Sequence, residues 1–194
     1  GKAVILPRNA HVAVINAMAL LDLNPCYLPV SYDAQTGFLL PPTAQQVKQA
    51  LQNTSDAACV WITSPDYFGV MADIAAIAAV CRGFGVPLLV DNAHGAHLAF
   101  VNKPCHPIQL GASMCCDSLH KTLPALTGAA LLHIGDAGFC AQAKQMMSLF
   151  GSTSPSFLIM LSADRCLARL QKTGRQEISK LQEQVSAVLD IAHS

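Results

Sequence analysis

The chain alternates short apolar runs, bounded by turn residues, with stretches in which apolar side chains recur at helical spacing. Compact runs rich in Val, Ile, Leu and Cys stand at 3–6, 26–30, 58–63, 87–91, 113–117 and 129–134, and each reads as a strand. The stretches at 11–23, 43–52, 71–84 and 137–148 read as helices, with Thr43 placed to cap the second. Such alternation predicts an α/β fold: a mostly parallel sheet with helices on both faces, because each parallel crossover needs an element that carries the chain back. After Gly151 the character changes. Residues 152–156, Ser-Thr-Ser-Pro-Ser, read as a turn, and 157–170 and 176–191 as two separate helices, the second amphipathic and charged. No repeat or low-complexity tract interrupts the pattern, and 37–42 is an ordinary loop. The expected organisation is part of one major domain over 1–165, then a helical connector over 166–194 leading toward a C-terminal domain.

Composition narrows the classes. In 194 residues there is room for one domain with a sizeable core. The charged fraction is only 12% and the net charge zero, so the electrostatic footprint of a nucleic-acid binder and an acidic tail are both missing. A hydrophobic fraction of 52% suits a covered parallel sheet and predicts surface buried against a second subunit. The longest apolar stretch, 69–80, is too short for a membrane span and contains Asp73. The opening residues, without Met or a signal-peptide pattern, read as the interior of a longer protein. Eight cysteines with no C-x-x-C spacing predict reduced, buried thiols in a cytoplasmic protein, and no metal site.

In open parallel sheets ligands bind at the carboxyl ends of strands, so the polar residues after each apolar run carry the candidate chemistry. Three such ends are unusual. Residues 87–90 end in Asp91-Asn92-Ala93-His94-Gly95-Ala96-His97; 113–117 run into Ser118-Leu119-His120-Lys121-Thr122; 58–63 are followed by Ser64-Pro65-Asp66-Tyr67-Phe68-Gly69. A strand-end Asp and, one strand later, a loop Lys are what pyridoxal-phosphate chemistry needs: an amine for the Schiff base and a carboxylate that keeps the pyridine nitrogen protonated. On spacing alone, an N-capping Asp and a solvated Lys explain the same residues.

The wording of these segments, in order and spacing, resembles the Orn/Lys/Arg decarboxylase family, most closely across Ser118 to Leu126 and with further matches at Pro7 to His11 and Gly151 to Leu158. The resemblance implies the large domain of a fold-type-I (transferase-like) enzyme using pyridoxal 5'-phosphate, incomplete at both ends. It would work as a homodimer or larger assembly that decarboxylates ornithine, lysine or arginine to a polyamine-type amine and CO2. It further implies that Lys121 carries the Schiff base, Asp91 partners the pyridine nitrogen, His11 stacks on the cofactor ring and Ala93 packs on its face. His94 is implied near the phosphate and Ser118 in contact with it, with His120 at the substrate carboxylate or delivering a proton. Ser152, Thr153 and Ser154 resemble a segment that reaches the phosphate of the neighbouring subunit.

Duller roles stay open at this point: His11 as a helix-start residue, His94 and His97 as core histidines, Ser152 to Ser154 as a helix cap, Thr63 and Ser64 as a strand-end turn. Val12-Ala13 and Asn92 depart from the family pattern, which commonly has Lys-Ser and Glu there. The family's small-residue phosphate loop precedes the strand that 3–6 would form, so it is expected outside this chain, as is the smaller C-terminal domain. That motivates an alternative reading as a non-catalytic dimerisation or regulatory module. Another fold-type-I reaction, such as transamination, is the narrower rival.

Overall fold

The computed structural model describes residues 1–192. Six strands form one sheet: β1 (Ala3–Leu6), β2 (Asn24–Tyr27), β3 (Ala57–Thr63), β4 (Leu88–Asp91), β5 (Met114–Ser118) and β6 (Ala130–Ile134), in the order β2-β1-β3-β4-β5-β6. The first five run parallel and β6 returns antiparallel to β5. The carboxyl ends of β1, β3, β4 and β5 therefore open on one edge, where the start of β6 joins them, Ser118 facing Ala130. The helices are α1 (Val12–Leu20), α2 (Ala44–Asn53), α3 (Ile74–Gly83), the single turn α4 (Leu119–Thr122), α5 (Cys140–Phe150) and α6 (Phe157–Ala192).

Strand alternation distributes the core. Ile5 joins Val60, Ile62 and Val90 under Val47 and Leu51 of α2 and Ile77 of α3. Its neighbours Val4 and Leu6 point the other way, onto Val14 and Met18 of α1. Burying each such aliphatic side chain contributes roughly 1.5–3 kcal/mol. The expected α/β sheet with helices on both faces is the one observed.

Boundaries moved for local reasons. Thr43 caps α2 through a reciprocal capping box with Gln46. Asp73, inside the predicted third helix, instead caps α3 by accepting from Ala76 N at 3.0 Å, so that helix starts at Ile74. Strand β2 begins two residues before the predicted 26 and includes Pro25, tolerated because β2 lies at the sheet edge.

The two helices predicted at 157–170 and 176–191 are one continuous helix, α6. Gly174 lies in the stretch between the two predicted helices and costs about 1 kcal/mol relative to Ala in a helix. The position demands it, however: a Cβ there would lie 2.7 Å from Cδ1 of Phe100. Thr173 Oγ1 bridges the same turn, donating to Arg169 O at 3.2 Å or to Glu177 Oε1 at 2.6 Å, while the Arg169 guanidinium holds both Glu177 oxygens at 2.9 and 3.1 Å. The division expected at 165/166 thus falls inside α6, whose Cys166 and Leu170 pack with Ala96, Leu119, Leu123 and Ala129 in a separate cluster. All eight cysteines are free; Cys81, Cys115 and Cys166 are buried, whereas Cys140 is exposed, against the expectation of uniformly buried thiols. Among the described residues no helix is long and apolar enough to cross a membrane.

Candidate active site

Two neighbouring strand ends build the site. Asp91 closes β4 and is buried, paired with Thr63 on one side and Cys116 on the other. Its Oδ1 accepts from Ala93 N at 3.2 Å and from the Cys116 thiol at 3.8 Å, while Oδ2 has no hydrogen-bond partner among the described residues. It caps no helix: the 3-10 turn at Ala96–Phe100 follows Gly95 without a side-chain cap. Burial, then the nearby Asp91 charge, pushes the Cys116 thiol up to about 11.

Lys121 sits on α4 between Leu119 and Leu123, both anchored in the cluster formed with α6. With those two side chains drawn inward, Lys121 stays exposed, and its Nζ lies 3.2 Å from His94 Nε2. An ammonium has no acceptor, so Nζ donates, His94 Nε2 accepts, and the His94 proton sits on Nδ1. That Nδ1 is buried without a partner. Tyr67 meets the His94 ring edge-on at 6.0 Å. Gly95 makes this approach possible, because a Cβ there would run into Asn92 Oδ1 and lie 2.6 Å from Pro65 Cδ. Among the described residues, the buried polar side-chain atoms lacking partners are Asn9 Oδ1, Thr63 Oγ1, Asn92 Oδ1, His94 Nδ1, His97 Nδ1 and Trp61 Nε1. All but the last belong to a carboxyl strand end or the segment just beyond one, where water or a polar ligand would satisfy them.

Other predicted residues fall in different places. Ser118 ends β5 with no side-chain capping bond, and His120 directs Nδ1 at Ala129 O, 3.1 Å away. Ala93 follows Asp91 in the same turn, half-buried. His11 stands beyond β1 on the same edge but is exposed and caps α1, accepting from Ala13 N at 3.1 Å. Ser64 Oγ accepts from Ala72 N, a structural turn. Ser152 and Thr153 are not brought to Lys121 within this chain: they form an exposed turn in which Ser152 accepts from Ser154 N at 3.1 Å. The residue bonded into the start of α6 is Ser156, whose carbonyl accepts from Met160 N.

Sequence reasoning missed a buried cluster behind the site. Asp117, at the end of β5, accepts at Oδ2 from His106 Nε2 (3.0 Å) and His133 Nε2 (2.9 Å), and at Oδ1 from Asn92 Nδ2 (2.6 Å). Burial alone would raise its carboxyl, but the bonds from His106, His133 and Asn92 outweigh that and hold it well below the usual carboxylate range. The available signal was a polar residue inside each of two apolar runs, Asp117 and His133.

An amine and a buried carboxylate on adjacent strand ends of a mostly parallel sheet define a class, the fold-type-I large domain. Within that class the chain belongs to the Orn/Lys/Arg decarboxylase family, matching its major domain over residues 1–192. It is 32% identical over 199 residues to an arginine decarboxylase of Bacillus anthracis, covering 100% of this chain and 40% of that protein. The chain thus spans less than half the length of such relatives. A lysine decarboxylase of Francisella novicida superposes with a TM-score of 0.76 at 23% identity, over 98% of this chain and 28% of that one. An archaeal O-phosphoseryl-tRNA(Sec) selenium transferase gives 0.75 at 19% identity, over 98% and 43%. Such different chemistry on one fold means that the reaction has to be argued from the site.

Proposed function

We propose that the full-length protein decarboxylates ornithine, lysine or arginine using pyridoxal 5'-phosphate, with Lys121 as the attachment point and Asp91 as the partner of the ring nitrogen. What carries this reading is the placement of Asp91 and Lys121 on adjacent strand ends in a chain of this family. The residues fit the cofactor. They offer a primary amine at the open edge, a buried carboxylate with Oδ2 uncommitted, and the orphaned Thr63 Oγ1 and His94 Nδ1 beside them.

Bound there, pyridoxal phosphate supplies a sink for the electron pair left at the substrate Cα as CO2 departs. Asp91 Oδ2 would hold the positive charge on the ring nitrogen, in a buried setting where an unpaired cation is costly. His94 Nε2, already bonded to Nζ, takes the ammonium proton and frees Lys121 as a nucleophile. His120 keeps Nδ1 on Ala129 O, which leaves Nε2 to hold or deliver a proton. Ser118 Oγ would donate to the phosphate, Ala93 and His11 would pack against the ring, and Ser152 and Thr153 would serve the phosphate of a second subunit. The working state is then a homodimer or higher homo-oligomer in the cytoplasm, with its active site shared between chains.

The test is spectroscopic. Full-length protein supplied with pyridoxal phosphate develops a visible absorption band, and borohydride fixes the cofactor on the peptide containing Lys121. CO2 is released from a basic amino acid and not from neutral ones. A colourless protein, or a label on another lysine, overturns the reading.

A further inference from the structure

The cluster around Asp117 joins the ends of β4 and β5 to β6 and to the loop before β5. Asn92 is wholly buried and clamped to β5 twice: its N–H donates to Cys116 O at 3.0 Å and its Nδ2 to Asp117 Oδ1 at 2.6 Å. Asn92 directly follows Asp91, and Asp117 directly precedes Ser118 on the segment that carries Lys121. The other carboxylate oxygen gathers His106, from the loop before β5, and His133, from β6. Two imidazoles and a carboxylate also form a ligand set of metal-binding type. The surroundings favour hydrogen bonds instead. Ile108 N donates to His106 Nδ1 at 3.4 Å, so that nitrogen is an acceptor, the ring proton lies on Nε2, and Nε2 faces Asp117 as a donor rather than as a lone pair.

Three donors thus compensate one buried carboxylate that stands one residue further along β5 than Cys116, whose thiol senses both Asp117 and Asp91. Without them an uncompensated anion would be left buried at the end of β5, and the link between the two strand ends would be lost. A carboxylate at position 92 would meet the Asp117 carboxylate at the place where the Asn92 amide now donates to it. We infer that the Asn92–Asp117 pair, braced by His106 and His133, is a positioning device that fixes the Asp91 segment against the Lys121 segment, so that both meet one cofactor. This rests on the reading of Lys121 and Asp91 given above.

The experiment is a reciprocal swap in the full-length protein, read by pyridoxal phosphate affinity, the visible band and thermal melting. Asn92→Asp sets two carboxylates against each other, and Asp117→Asn, whose one oxygen is taken by the imidazoles, turns an amide donor towards the Asn92 donor, so each weakens cofactor affinity about tenfold or more. The double variant, Asn92→Asp with Asp117→Asn, restores an acid–amide pair and returns the affinity to within about threefold of wild type, a coupling that independent sites do not show. Should the buried variants not fold, half-exposed His133 gives the same answer. His133→Gln keeps a donor and the wild-type affinity, whereas His133→Ala loses about threefold or more. Single variants that melt earlier yet bind cofactor normally at low temperature reduce the cluster to a prop and overturn the inference. So does a double variant no better than the worse single. Stoichiometric binding of Zn2+ or Co2+ by wild type, lost in His133→Ala, overturns it in favour of a metal centre. A wild-type protein that takes up no cofactor brings down the functional reading first, and is told apart by that absence of colour.

Discussion

The lysine segment and the Ser152-Thr153-Ser154 turn both resemble the same family as words, yet the folded chain treats them differently. Around Lys121, Leu119 and Leu123 are buried against α6 and the polar groups reach across strands, to His94 and to Ala129. The serine turn is exposed, and its one side-chain bond closes within three residues. A segment assembled by its own chain can be read for chemistry directly. One that satisfies only itself gives no such reading, and its role at a second subunit is what the proposal above puts to the test.

The sharpest way to break this comparison is to remove the amine. In the full-length protein Lys121→Ala abolishes the visible band and lowers turnover by several orders of magnitude, because covalent catalysis is lost; near-normal rates in a steady-state assay would remove Lys121 from the mechanism. Next comes complementation. Mixing inactive Lys121→Ala subunits with inactive Thr153→Trp subunits regenerates one intact site per hybrid dimer, about a quarter of wild-type activity after random exchange of a two-fold assembly; no recovery after verified exchange would place Thr153 outside the site. A stability contrast follows. Leu119→Ala destabilises by about 2–5 kcal/mol in chemical denaturation, through the cavity beside α6, whereas Ser152→Ala stays within about 0.5 kcal/mol.

The smallest effect concerns the thiols. Burial pushes Cys59 and Cys81 up to about 11, as it does Cys116. Each then favours the folded state fully below the unfolded thiol value of about 8.5, and that contribution is lost as pH rises through about 11. Alkylation read by mass spectrometry at pH 8 labels exposed Cys140 first and spares these three.

Much of this was legible because parallel strands put their functional residues directly after apolar runs. Asp91 and Lys121 could be found without knowing a single contact. The fold class followed from the same alternation. What escaped has physical causes. Thr173-Gly174 looks like a helix break in one dimension, and only Phe100, from a distant turn, reveals why glycine stands there. The bonds from Asp117 to His106, His133 and Asn92 span 11, 16 and 25 residues, and no local periodicity encodes them. Pro25 read as a strand boundary because edge position is a property of the finished sheet.

The contact of Gly174 with Phe100 has a mechanical consequence. Helix α6 has 36 residues, so it is about 54 Å long, and roughly 27 Å of it extends past Gly174. That far part carries the exposed Leu181, Val185, Val188 and Leu189. The same helix presses on the cluster beneath Lys121 through Cys166 and Leu170. It is therefore a lever with its fulcrum at Phe100. A tilt of about 5° there would displace the distal end by about 2 Å for a rod of this length, so a load applied at Leu181 to Leu189 would reach the residues packed beneath Lys121.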